Sequence, residues 1–461
     1  MLAATSLLGL YFLMLGTAMS FFFGRLVTSG EPDFRSRLRL LAYLCLSGVL
    51  LHYLLVLLLR DLDHALLTGG LIGLGSLLWC AVRYRWRVLS PFRLAPFALL
   101  PVTLTTFLYC PLVLLTPLRG FDARFIWSLQ AKMIFYGSGL HQSSGFTSPV
   151  YQTSHTDYPK LFSLLAAQSA TQVGYWNEYA PKAGILFLLV PALMLLFSFQ
   201  EWSARFLLLV STLLFIPTVY LWNGYVDGYG ALFGALAVLL FAEWHIVGRP
   251  GLLVVALCCT AVAASLKHEG LLFAAAIVFS VVVLLGAKGR DLIVRIPGKA
   301  LFACGAMLPF AGCVAWLVIR SSWGLENDLD LGRESLSRIV ERAGQAGFWS
   351  LASQWLVVRS GFGAALIVLA LAMFLLRLAR TRLKPIAFLP LLTACLYTLV
   401  LLLVYAATPR ELEWHLRTSS GRVMLAPVLC VFASAYLVLG RPAREKTNAR
   451  CNPAFSPPNR A

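Results

Sequence analysis

RGFDARFIWSLQAKMIFYGSGLHQSSGFTSPVYQTSHTDYPK, residues 119–160, is the longest polar interval in a chain that is otherwise mostly apolar. Long apolar runs border it, near 94–117 before it and near 180–199 after it. Runs of about 17–25 apolar residues can cross a bilayer core as helices. A stretch that mixes acids, bases, aromatics and small residues between two such runs belongs outside the hydrocarbon. It marks where the chain leaves the membrane, and the other runs are counted outward from it.

The composition agrees. Of 461 residues, 59% are hydrophobic and 13% charged, against roughly 25% charged in soluble domains. Backbone in lipid must satisfy its own hydrogen bonds, so the expected fold class is an all-α polytopic membrane protein. Run length predicts about thirteen transmembrane helices. They fall near 3–23, 40–59, 65–82, 94–117, 180–199, 206–222, 228–246, 251–266, 270–286, 300–319, 361–377, 386–406 and 422–440. The first run has no basic n-region and no small-residue cleavage site, and reads as a retained span. Segment 160–173 is too short and too polar to cross, with Ser163, Gln168, Ser169, Thr171 and Gln172 interrupting it. It reads as a helix lying at the outer interface, with Pro159 in its first turn and Asp157 as a possible cap. Three parts follow: N-terminal transmembrane helices (1–93) with little polar chemistry, a membrane core (94–440), and a basic tail (441–461) expected to be disordered.

The net charge of +18 does not point to nucleic acid, because the basic residues sit in short loops between spans. Arg25, Arg35, Arg37 and Arg39 form one arginine-rich loop, and Arg83, Arg85, Arg87 and Arg93 another. By the positive-inside rule both are cytoplasmic, which puts the N-terminus and residues 119–160 outside and the C-terminus in the cytoplasm. By this count about 23 Lys/Arg lie inside and about 15 outside. About 14 of the 20 acids go the other way, so chemistry is expected on the outer face. The ten cysteines lie almost entirely in apolar runs, without metal-ligand spacing or a disulfide framework, and read as small core residues. The chain has no phosphate-binding Gly-rich loop with a following Lys-Ser/Thr and no dinucleotide fingerprint.

Candidate chemistry clusters at the outer ends of spans. Asp122, four residues past a span and flanked by Phe121 and Phe125, is partly desolvated and suits a general base; a solvated acid paired with Arg124 is the plainer reading. Trp127, Gln130, Lys132 and Tyr136 follow at roughly helical spacing, as on an amphipathic interfacial helix. Lys132 suits a phosphate or simple snorkelling. His155 and Asp157 suit a sugar hydroxyl or a metal, though two ligands make no metal site. Asp227 lies in a tight turn, Asn223-Gly224-Tyr225-Val226-Asp227. Lys267-His268-Glu269-Gly270 interrupts an apolar run. Ionisable groups there are costly unless paired or facing a cavity, so Lys267 is a candidate for a lipid phosphate and Glu269 for its partner. His415, Arg417 and Arg422 stand just above the last span; arginine clamps phosphates, and Arg422 also fits a simple helix anchor. The loop 320–359 reads as a solvated amphipathic helix able to cover the site.

Taken together, these segments resemble the GT-C superfamily of membrane glycosyltransferases. The likeness is to the bacterial relatives of the protein-mannosyl and aminoarabinose transferases (glycosyltransferase family 39-like). It rests on an acid soon after a span, an aromatic-rich interfacial helix and His155-Thr156-Asp157-Tyr158-Pro159. Three later segments keep the order: Gly224-Tyr225-Val226-Asp227, Lys267-His268-Glu269-Gly270, and Glu413-Trp414-His415-Leu416-Arg417-Thr418-Ser419 with Arg422. It covers roughly 94–440. The resemblance implies a GT-C-like catalytic core, a polyprenyl-phosphate sugar donor, an envelope acceptor, and inversion at the anomeric carbon. The site would lie on the extracytoplasmic face of a bacterial inner membrane. Asp122 matches the first-loop catalytic acid, with Asp157 and Asp227 as further candidates. Lys267 matches a basic residue near the donor phosphate, joined by Arg417, Arg422 and Lys132. His155, Tyr158, Glu269, Trp414 and His415 are candidates for substrate contact. Many members carry two adjacent acids in the first loop. Here Ala123 follows Asp122, which leaves a divalent metal open rather than required. The competing readings are a transporter or flippase for a lipid-linked saccharide, and a non-catalytic partner in envelope polysaccharide assembly.

Overall fold

Leucine-rich runs without strand-type alternation fold as helices, and no β-strand occurs among the described residues of the computed structural model. Those residues are 1–22, 34–84, 96–199, 203–294, 296, 298–327, 333–378 and 385–440. The tail 441–461, read as disordered, lies outside them, as do Arg25, Arg85, Arg87 and Arg93 of the two arginine-rich loops.

Helices α1 (Leu2–Gly16) and α2 (Phe34–Leu59) cross on small residues. A Cβ on Gly16 would strike the Leu44 carbonyl, and one on Gly48 the Phe12 carbonyl. Close backbone approach of this kind is a main source of helix association in lipid. Next come α3 (Leu62–Tyr84) and α4 (Pro96–Leu115). On α3, Leu67, Leu71, Leu74, Leu78 and Val82 recur at helical spacing and are all exposed, which is a lipid-facing stripe.

The polar stretch holds a π-helical turn (Ala123–Ser128) and α5 (Leu129–Tyr136), and leads to α6 (Leu161–Val173). Then follow α7 (Leu186–Phe197), α8 (Ala204–Phe215), α9 (Thr218–Trp222), α10 (Asp227–Val247), α11 (Pro250–Ala264) and α12 (His268–Val294). The last third holds α13 (Lys299–Met307), α14 (Ala311–Ser322), α15 (Arg333–Ala343), α16 (Ala346–Ser353), α17 (Phe362–Leu378), α18 (Leu389–Ala407), α19 (Leu412–Val423) and α20 (Leu425–Val438).

The chain is a multi-pass, all-helical membrane protein. Among the described residues eight helices are long and apolar enough to cross a bilayer, and nine if Ala346–Arg359 and Phe362–Leu378, bent by 60°, make one span. Four shorter apolar helices, Leu99–Leu115, Pro181–Phe197, Ala204–Phe215 and Pro250–Ala264, occupy other runs counted in the sequence. Helix α10 is the axis. It is almost wholly buried, against α7, α11, α12, α18 and α20.

The two ends of the bundle are distinct. At one, Arg39 at the start of α2 meets Glu243 near the end of α10 at 2.7 and 2.8 Å, and donates to Ser198 just past α7 at 2.8 Å. At the other, the turn after α2 is stitched to the polar stretch: Leu140 N donates to Arg60 O at 2.9 Å and Leu62 N to Ser138 O at 3.0 Å. Asp122, Asp227, Lys267 and Arg422 all lie at this second end.

Several local expectations change. Helix α6 does not present an exposed amphipathic face: Leu161 to Ala170 are all buried, under α1, α2 and α5. Its polar residues are internal bonds. Ser163 donates to Trp127 O at 3.2 Å, and Gln168 meets His52 at 3.2 Å. His52 also bonds Tyr11 at 2.9 Å, so the first helices carry more polar chemistry than their composition suggests. Lys160 occupies the N-cap of α6 without a side-chain cap bond. Asp157 therefore does not cap it, and Pro159 precedes its first turn. Segment 410–422 is also largely helical. The Glu411 carboxylate accepts from Glu413 N and Trp414 N to start α19, which carries Arg417 and Arg422.

Helix α15 keeps the expected Glu334–Arg338 pair, at 3.4 Å with Glu334 exposed, but turns its arginines toward α18. Arg338 donates to Ala407 O at 2.8 Å and Arg342 to Tyr405 O at 2.9 Å, capping the C-terminal carbonyls of α18. Leu336 and Val340, four residues apart, are 69% and 67% exposed.

Candidate functional site

Asp122 lies where the fourth apolar run has ended and the π-helical turn begins. Such turns are frequent at functional sites. Its carboxylate is ion-paired with Nη1 of Arg422, near the end of α19. The same guanidinium is 4.0 Å from Oδ2 of Asp227 and lies over the Tyr225 ring at 5.5 Å. Asp227 opens α10, where the helix dipole favours a carboxylate. Nζ of Lys267 is 3.3 Å from Oδ1 of Asp227 and 2.9 Å from Oε1 of Glu269. The Asp227 side chain is 4% exposed and that of Lys267 9%. The result is a line of alternating charge, Asp122–Arg422–Asp227–Lys267–Glu269. Three carboxylates against two cations leave a formal charge of −1.

Lys267 falls between α11 and α12. The ionisable trio thus marks a reversal of the chain rather than a flaw inside one span. Gly270 permits that reversal, since a Cβ there would strike the Ala263 carbonyl. Burial by itself would lower the Lys267 pKa. Asp227 and Glu269 outweigh burial and hold it above the ordinary lysine value.

A second cluster braces the first. Oδ2 of Asp157 is 2.8 Å from Nε2 of His268, and Trp316 Nε1 donates to Asp157 O at 3.1 Å. Burial would raise the Asp157 carboxyl; His268, with Lys160 and His155 nearby, reverses this and holds it below its ordinary value. Tyr158 is the hinge between clusters. It stacks on His155 at 4.7 Å, meets His268 edge-on at 5.0 Å, and carries Lys267 over its ring at 5.7 Å. So the His155–Pro159 segment docks directly on Lys267-His268-Glu269-Gly270.

Lys160 is the residue the sequence reading missed. It is fully buried. Its Nζ donates to Gln130 Oε1 and Thr156 O, each at 2.8 Å, and lies over the Trp316 ring at 4.7 Å and the Phe146 ring at 5.2 Å. Burial pushes its pKa well down, and Asp157 opposes the shift. Gln130 also donates to the carbonyls of Ser154 and His155 at 2.7 and 2.9 Å, fixing the loop above Asp157. The available signal was a lysine ending a polar stretch directly before an apolar helix.

Other expected site residues lie apart from the ion-pair line. Lys132 sits over the Trp176 ring at 5.7 Å. Arg417 is exposed. Trp414 is exposed under Arg410, 5.4 Å from its ring. His415 bonds Thr408 at 3.0 Å and stands edge-on to Tyr405 at 4.9 Å. Among the described residues no three of His, Cys, Asp or Glu converge as a metal ion requires.

The ion pairs line a cavity of about 30 Å³, bordered by Asp227, Lys267, Glu269, Tyr397 and Arg422 and walled by Phe273. Comparison of the chain with protein-family models, curated proteins and solved structures gave no match.

Proposed function

We propose that this chain is a membrane glycosyltransferase. It moves a sugar from a polyprenyl-phosphate donor to an envelope acceptor, a glycan, lipid or protein. The reaction takes place at the extracytoplasmic face of a bacterial inner membrane, inverting the anomeric carbon. The observation that carries this reading is the line Asp122–Arg422–Asp227–Lys267–Glu269, drawn from four separate segments to one end of the bundle. A base and two cations side by side at membrane level suit a reaction in which a hydroxyl is deprotonated and a lipid phosphate departs.

The chemistry is direct. A donor phosphate oxygen takes Arg422 from Asp122 and frees that carboxylate. Asp122 accepts the proton of the acceptor hydroxyl. The hydroxyl oxygen bonds to C1 of the sugar, and the bond from C1 to the phosphate oxygen breaks, its electron pair leaving with the lipid phosphate. Lys267 and Arg422 balance the charge that develops there, which is usually the largest catalytic contribution. Asp157, through His268 and Tyr158, positions Lys267.

A lipid-saccharide carrier would need polar groups along a route through the bilayer. The gathering of these ion pairs at one end favours a transferase. The test is sugar transfer in proteoliposomes supplied with polyprenyl-phosphate sugars, comparing wild type with Asp122→Asn and Lys267→Ala. Transfer by wild type and its loss in both folded variants supports the reading. Undiminished transfer by Asp122→Asn passes the base role to Asp157 or Asp227. Lipid movement without transfer favours the carrier.

A further inference from the structure

Asp227 and Glu269 each commit one carboxylate oxygen to Lys267, at 3.3 and 2.9 Å. Their other oxygens, Oδ2 and Oε2, are buried and have no hydrogen-bond partner. The cation nearest Oδ2, Arg422 Nη1, is 4.0 Å away, too far for a hydrogen bond. Both residues border the same cavity of about 30 Å³. A buried acceptor left unsatisfied is costly, and each such group calls for an explanation.

We propose that Asp227 Oδ2 and Glu269 Oε2 form a hydroxyl-binding subsite that receives two hydroxyls of the donor's sugar ring. This rests on the transferase reading. A carboxylate oxygen only accepts hydrogen bonds, so what enters must donate. A phosphate brings only acceptors and negative charge, so it cannot satisfy these two oxygens and is left to the cations Arg422 and Lys267, which line the same cavity. The volume fits the same assignment. The cavity is small, with room on the order of a few water-sized groups, so a sugar ring would insert its edge. Lys267 touches both carboxylates and lines the cavity, which couples the sugar subsite to the phosphate site through one ammonium.

The test measures binding to the full-length protein in nanodiscs. The probes are bare polyprenyl phosphate, polyprenyl-phosphate glucose and mannose, and the deoxy analogues of each sugar lacking one ring hydroxyl. Wild type is expected to bind one of the sugar lipids on the order of tenfold or more tighter than at least one of its deoxy analogues. Glu269→Gln and Asp227→Asn are each expected to bring that ratio toward one. Equal binding of every analogue by wild type overturns the subsite and leaves the cavity to water, and this comparison needs no variant to fold. A wild-type ratio that survives in both variants overturns it as well, placing hydroxyl recognition elsewhere. If bare and sugar-bearing lipids bind alike, only the subsite fails. If neither binds, the lipid-donor reading itself fails and takes the subsite with it.

Discussion

Nε2 of His268 lies 2.8 Å from Oδ2 of Asp157, across 111 residues of sequence. The pair pins the end of segment 119–160 to the start of α12, beside Lys267. Asp157→Asn is expected to cost about 1–3 kcal/mol near neutral pH, read by thermal unfolding in detergent. The sign with pH follows from the depressed carboxyl. A folded value below the unfolded one of about 3.9 means stability that is present above that pH and lost as pH falls through the folded value. The gap between wild type and variant should therefore close below about pH 4. A gap that persists into stronger acid would show that the carboxylate's charge is not what holds His268.

Arg422 serves Asp122 and the proposed phosphate at once. Arg422→Lys keeps the charge but loses the planar fork. Transfer is expected to fall by on the order of 10²-fold, with the larger loss in Arg422→Ala. Initial rates with a lipid-linked sugar donor measure this. A fully active Arg422→Ala would remove the arginine from the mechanism.

Lys160 is a buried donor to two carbonyl-type acceptors. Lys160→Met leaves Gln130 Oε1 and Thr156 O without it, an expected cost of about 1–3 kcal/mol. Adding Gln130→Leu removes one orphaned acceptor but also frees two loop carbonyls, so the double variant should remain below wild type. A single variant as stable as wild type would mean that the aromatic walls alone hold this corner together.

Arg39 and Glu243 make a paired contact at the opposite end from the site. A double-mutant cycle with Arg39→Ala and Glu243→Ala should show positive coupling in stability, with each single change costing up to about 3–5 kcal/mol if the partner stays buried. Transfer per folded molecule should be unchanged, because neither group touches the site. Additive losses would mean that the pair contributes no coupling.

Orientation follows from labelling. In a cysteine-free background, Val150→Cys, on the exposed part of segment 119–160, should react with a membrane-impermeant maleimide in intact cells. Arg249→Cys, between α10 and α11, should react only after the membrane is opened. The reverse pattern would turn the protein over and place the site in the cytoplasm.

The gathering of Asp122, Asp227, Lys267 and Arg422 at one end was legible in the run lengths, because hydrocarbon thickness acts on composition directly. Lys267 and Glu269 were legible for the same reason, since charges inside an apolar stretch need partners. The partners themselves were not. That Arg422 reaches Asp122, or that Asp157 faces His268 instead of capping α6, depends on how helices pack, which local spacing does not encode. Helix α6 was misread because Ser163 and Gln168 look water-facing in sequence, whereas each bonds another buried segment. Lys160 was overlooked because its acceptors, Gln130 Oε1 and the Thr156 carbonyl, only become a cage once α5 and the following loop fold over it.

Asp122 and Arg422 are separated by 300 residues. During synthesis at about 5–20 residues per second, the acid emerges at least roughly fifteen seconds before its arginine. Until α19 is in place, Asp122 lacks the guanidinium of Arg422. A chain halted after α18 would keep most of its spans yet lack one cation of the charge line. Completion of the site is thus a late event in biogenesis, and its closing ion pair reports that the last helices have docked.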